Sequence, residues 1–90
     1  MEQTIQKVNA ILEEQFPGVQ VAIATRKGVK RATGFIIWSG FVGKSQIDRQ
    51  TLLWNTLEAH LTRGEQLNLG TILTITPQEV AAMDEVLAAA

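Results

Sequence analysis

Gly40-Phe41-Val42-Gly43-Lys44-Ser45-Gln46-Ile47-Asp48-Arg49-Gln50 is the stretch on which the fold turns. Before it, apolar residues recur with period two, as in strands. After it they recur with the period of a helix. Two glycines three apart allow a sharp turn in which backbone approaches another group closely. Ser45 followed by Asp48 suits a helix start, with a hydroxyl cap and an acid in the first turn. Ile47, Leu53, Trp54, Leu57 and Leu61 then predict a helix over about 46–62, with Arg63-Gly64 as its stop.

Upstream, residues 33–39 predict a strand carrying Phe35-Ile36-Ile37-Trp38 in an unbroken apolar run. Such a run means that both faces meet apolar groups, or that one face is exposed and adhesive. Either Phe35 and Ile37 face the core and Ile36 and Trp38 the open side, or the reverse, because a one-residue slip inverts a strand. Residues 19–25 alternate, Val19, Val21 and Ile23 against Gln20, Ala22 and Ala24, and predict a second strand. The basic link Arg26-Lys27-Gly28-Val29-Lys30-Arg31 joins the two as a hairpin. Residues 4–16 predict an amphipathic helix on Ile5, Val8, Leu12 and Phe16, ended by Pro17-Gly18.

Downstream, residues 67–75 predict a third strand, with Leu67, Leu69, Leu73 and Ile75 on one side and Asn68, Gly70, Ile72 and Thr74 on the other. Thr76-Pro77-Gln78-Glu79 spells a capping box with proline at the first helical position. A last helix follows on Val80, Met83, Val86 and Leu87. The expected architecture is one α+β domain over residues 1–90. It has two layers, a three-stranded sheet with helices on one face, in the order α-β-β-(turn)-α-β-α.

Composition narrows the chemistry. An apolar fraction of 46% suits a globular chain, and the absence of cysteine excludes disulfides, thiolate metal sites and cysteine nucleophiles. No apolar run approaches the roughly 20 residues a membrane span needs, and Met1-Glu2-Gln3-Thr4 has no signal-peptide character, so a cytoplasmic protein with no membrane partner is the expectation. One histidine, His60, and no paired carboxylates give no catalytic constellation, and an enzyme is not expected. Gly43-Lys44-Ser45 has the spelling of the end of a phosphate-binding P-loop, but Trp38 stands where that motif needs glycine.

The net charge of −1 conceals a segregation. Arg26, Lys27, Lys30, Arg31, Lys44 and Arg49 face Asp48 alone within residues 26–49, whereas elsewhere Lys7 and Arg63 stand among eight carboxylates. Segregated charge bears on partners rather than on fold.

Ser39, Phe41, Gly43, Lys44, Ser45, Arg49 and Gln50, followed by a strand that ends in Thr76-Pro77 and Glu79, resemble the BolA family. The resemblance implies a fold related to the type II KH domain. It also implies roles in iron–sulfur trafficking with monothiol glutaredoxins, or in transcriptional regulation by DNA binding. Two positions depart from the family. Its third-strand histidine falls at Asn68, a poor ligand for cluster iron. Its other ligand, a cysteine or histidine between the first two strands, would fall in residues 26–31, which hold neither. No cofactor is therefore expected, and the chain reads as a divergent member.

Two functions compete. A nucleic-acid or other anionic partner would engage Arg26, Lys27, Lys30 and Arg31 at the hairpin tip, with Gly43, Lys44 and Arg49 at the start of the central helix. Gly40-Phe41-Val42-Gly43 also fits the GXXG spelling of a KH backbone clamp, although a structural turn has the greater weight. Alternatively, a protein adaptor would bind a glutaredoxin-type partner or a second copy of itself through the apolar sheet face, at Ile36, Trp38 and Asn68.

Overall fold

The computed structural model describes the backbone of residues 1–89 and the side chains through Asp84. The elements are α1 (Glu2–Gln15), β1 (Gln20–Ala24), β2 (Ala32–Ile37), a 3-10 turn (Ser39–Phe41), α2 (Gln46–His60), α3 (Arg63–Leu67), β3 (Leu69–Ile75) and α4 (Pro77–Ala89). The sheet has the order β1-β2-β3, with β1 antiparallel and β3 parallel to the central β2. This is the expected α+β class and element order, with one helix added.

Helices α1 and α2 cover one face of the sheet. Val8, Leu12 and Phe16 from α1 and Leu53 and Leu57 from α2 meet Ile23, Ile36 and Ile72 in a single core. Each such side chain, fully buried, stabilises the fold by about 1.5–3 kcal/mol. Ser45 caps α2 by accepting from the Asp48 amide at 3.2 Å. Thr76 and Glu79 close the expected capping box at the start of α4: the Thr76 amide donates to Glu79 Oε1 at 2.8 Å, and the Glu79 amide donates to Thr76 Oγ1 at 3.2 Å.

The structure decides the side of β2. Val21 pairs with Ile36 and Ile23 with Gly34, and directly paired residues share a face. Val21 and Ile23 point inward, so Ile36 points inward with them and is fully buried. Phe35 and Ile37 therefore line the uncovered face. The space of a side chain at Gly34 is already occupied by the Ala22 carbonyl.

On β3 the expected alternation fails. Ala32 pairs with Leu69 but Gly34 with Ile72, so three residues of β3 oppose two of β2. The extra residue is a bulge that reverses the alternation. Leu69, Ile72 and Thr74 consequently all lie inward, while Leu73 is turned outward and 55% exposed.

The segment expected to stop α2 and start β3 forms α3 instead. Thr62 and Glu65 make a second capping box: the Thr62 amide donates to Glu65 Oε1 at 2.8 Å, and the Glu65 amide donates to Thr62 Oγ1 at 3.2 Å. Lys7 from α1 reaches the same carboxylate at 2.9 Å. The stripe of α4 is less covered than its spacing suggests. Val80 is half-buried but Met83 is 58% exposed. The expectations for Val86 and Leu87 lie outside the described side chains.

Candidate nucleic-acid interface

The basic residues named from the sequence fall into two groups. Arg26, Lys27, Lys30 and Arg31 are exposed on the β1–β2 connection, where Gly28 takes a left-handed conformation (φ 83°). Lys44 and Arg49 follow the other end of β2. Six strand residues at about 3.3 Å each separate the two ends by roughly 20 Å, so the expected single surface does not form.

Arg49 is moreover not a surface residue. It is 7% exposed and sits on the core stripe of α2 with Leu53 and Leu57, each four residues on. Its guanidinium donates from Nε to the Lys44 carbonyl at 3.0 Å, and from one terminal nitrogen to the Thr74 carbonyl at 3.2 Å and Glu79 Oε1 at 2.7 Å. It also lies 6.0 Å from the centroid of Phe41, within cation–π range. With every contact internal, Arg49 ties α2, β3 and α4 together and is not offered to a phosphate. Its hydrogen bond, followed by that of the Thr76 amide, holds the Glu79 carboxyl below the usual carboxylate range.

The Gly40–Gly43 turn is likewise internal. Phe41 is fully buried, and the amides of Phe41, Val42 and Lys44 donate to the carbonyls of Trp38, Ser39 and Phe41. A side chain at Gly40 would collide with the Trp38 indole, and Gly43 takes φ 82°. Gly43 therefore makes the turn rather than a phosphate clamp, because these amides are already engaged.

The three adaptor residues are structural posts. Ile36 is in the core. Trp38 is half-buried, stacked on Phe16 at 4.5 Å and edge-on to Phe41 at 5.2 Å, and its Nε1 donates to the Pro17 carbonyl at 3.0 Å. Asn68 caps α3, and its side-chain amide donates to Thr4 Oγ1 at 3.3 Å, holding the start of α1. The uncovered face is built instead from Phe35, Ile37, Leu73 and Ile75.

The structure adds a residue that the charge tally had placed in the acidic remainder. Arg63, at the start of α3, lines the same groove as Arg31. The groove has a volume of about 600 Å³ and runs beside β3, an edge strand, with Trp54, Gln66 and Thr71 also on its wall. Its back is fixed by Gln50, which donates to the Ile72 carbonyl at 2.8 Å and accepts from Trp54 Nε1 at 3.1 Å. Gln46 donates to the Thr74 carbonyl at 3.2 Å. One turn apart, the two glutamines satisfy carbonyls on the edge of β3 and steady the indole. Their four-residue spacing, continued to Trp54, was visible in the sequence.

Among the described residues the ion pairs are Lys7–Glu65 and Arg49–Glu79. Arg26, Lys27, Lys30, Arg31 and Arg63 thus have no carboxylate partner among the described residues. No helix among them is long and apolar enough to cross a membrane. The chain matches no protein-family model, and comparison with curated proteins finds no significant similarity.

Proposed function

We propose that this chain is a cytoplasmic, non-enzymatic, divergent BolA-like module, related to the type II KH fold, whose basic end binds nucleic acid in a regulatory role. The observation that carries the proposal is the convergence of Arg31 and Arg63 on one groove beside the Trp54 indole, with no carboxylate partner among the described residues. Guanidinium groups without a carboxylate partner attract phosphate, and their fork geometry fits its oxygens. An indole beside them gives a base a surface on which to stack. Arg26, Lys27 and Lys30 extend the positive end along the hairpin tip. Element order along the chain supports the BolA-like reading, and the placement of Asn68 as a helix cap supports a role without an iron–sulfur cluster.

The test is fluorescence anisotropy of a random-sequence single-stranded oligonucleotide across a salt series. Four to five phosphate contacts give a slope of log affinity against log salt of about −3 on a single strand. Binding is expected to be lost in the Arg26→Ala, Lys27→Ala, Lys30→Ala, Arg31→Ala variant and kept in Lys44→Ala. Absence of binding at low salt would sink the proposal. The uncovered Phe35–Leu73 face favours a second reading, protein docking, whose occupant is taken up next.

A further inference from the structure

Phe35 pairs with Ala22 on one side and Leu73 on the other, and Ile37 pairs with Gln20 and Ile75. The sheet face opposite α1 and α2 therefore carries two adjacent rows in which Gln20 alone is polar. Phe35 is 39% exposed, and among the described residues no helix side chain shares its groove. An antiparallel or mixed sheet facing water normally alternates to polar residues on that side. This one does not, and a contiguous exposed apolar surface of this kind marks a docking site.

The same molecule holds a second apolar surface that is partly exposed among the described residues. α4 presents Val80 and Met83 one turn apart, with Met83 mostly exposed. Its sequence includes Glu79, Asp84 and Glu85 and no lysine or arginine. The open face, by contrast, ends at Arg26, which shares a groove with Phe35, Thr71 and Leu73. One surface is apolar with a basic end, and the other is apolar with the exposed Asp84 beside it. Their lengths agree as well: 13 helical residues span about 20 Å, as do the six strand residues of β2.

Among the described residues the chain does not close this contact on itself. Pro77 and Val80 border a groove with Gln20 and Ile37, at the edge of the face where β3 ends. The Thr76–Glu79 capping box and the Arg49–Glu79 ion pair fix the first turn of α4 there. Leu73 and Met83 stay uncovered in the single chain. We propose that a second copy covers them: two copies associate about a two-fold axis, each laying α4 across the open sheet face of the other, with Asp84 toward the partner's basic hairpin tip. Such an isologous arrangement uses each surface twice and leaves neither open. It shares the hairpin tip with the nucleic-acid proposal but engages the open face rather than the groove of Arg31 and Arg63.

The test uses the full chain and two charge insertions at exposed positions, Leu73→Asp on the face and Met83→Asp on the helix. Sedimentation velocity of the unaltered protein is expected to give a dimer, and each variant alone a monomer with an unchanged circular dichroism spectrum. Phe35→Asp replaces Leu73→Asp should the latter unfold. Complementation is the deciding measurement. Labelled Leu73→Asp protein titrated with unlabelled Met83→Asp protein should form a heterodimer, because the α4 of the first meets the intact face of the second. Titrated with more Leu73→Asp protein it should not. A monomeric unaltered protein, or failure of the mixed titration, overturns the proposal. Oligonucleotide binding by Leu73→Asp is measured alongside, so that the two proposals stand or fall separately.

Discussion

The two ends of the sheet use arginine for opposite purposes. Where β2 and β3 end, Arg49 directs Nε and one terminal nitrogen at the Lys44 and Thr74 carbonyls and at Glu79. Trp38, Phe16 and Phe41 close that end with stacked and edge-on rings. Where β2 begins, Arg31 and Arg63 share a groove and make no ion pair among the described residues. A count of cations cannot tell these ends apart. What separates them is whether the protein itself has already satisfied the charge, since a satisfied guanidinium is part of the scaffold and an unsatisfied one is a site.

The comparison is sharpest where the closed end is broken. Phe41→Ala removes a fully buried ring from the aromatic trio and should cost about 3–5 kcal/mol in urea denaturation. A cost below about 1 kcal/mol would mean that the turn is a loose loop, and a backbone clamp would again be open. Arg49→Leu is expected to cost about 2–3 kcal/mol, because two carbonyls lose charge-assisted donors and a leucine replaces neither. Oligonucleotide binding by the folded fraction of Arg49→Leu should match that of the unaltered protein. A weakened affinity at equal fold would erase the distinction between the ends. At the open end the pattern inverts. Arg31→Ala with Arg63→Ala should change stability by no more than about 0.5 kcal/mol. The same pair should flatten the salt slope of oligonucleotide binding by about 1.4, at roughly 0.7 per lost phosphate contact on a single strand.

Much of this division was legible, and the rest was hidden for identifiable reasons. Ser45 and Asp48, and Thr76 and Glu79, announced helix starts because cap chemistry is local, and both caps formed. Thr62 and Glu65 carry the same signal, but Gly64 between them reads as a helix stop and α3 was missed. The side of β2 was illegible because Phe35-Ile36-Ile37-Trp38 is apolar throughout, so alternation carries no sign. The reversal on β3 was hidden for a different reason: Gly70 and Thr71, where the extra residue lies, have no apolar side chain to mark it. Arg49 could have been found. It stands four residues before Leu53 and eight before Leu57, on the stripe the helical period assigns to the core, and grouping it by charge overrode that spacing. Arg63 could not, because the groove it shares with Arg31 joins segments about thirty residues apart.

The smallest expected effect tests the closed end by titration. Glu79 is 46% exposed, and its carboxyl is held below the ordinary range first by the Arg49 hydrogen bond and then by the Thr76 amide. A carboxyl with a lowered folded pKa contributes stability that is fully present above its unfolded value. That contribution is lost as pH falls through the folded value. The unaltered protein should therefore lose melting temperature as pH falls below the ordinary glutamate pKa of about 4.3. Glu79→Gln keeps an oxygen that can accept from Arg49 and the Thr76 amide but has no charge to lose. Its melting temperature should start lower at neutral pH and fall less over the acid range, so the two curves converge. Glu65, also lowered by its Thr62 and Lys7 contacts, titrates in both proteins and cancels in the difference. Parallel curves would mean that Arg49 does not hold Glu79 in solution. The guanidinium would then be available to a ligand, and the two ends of the sheet would be alike after all.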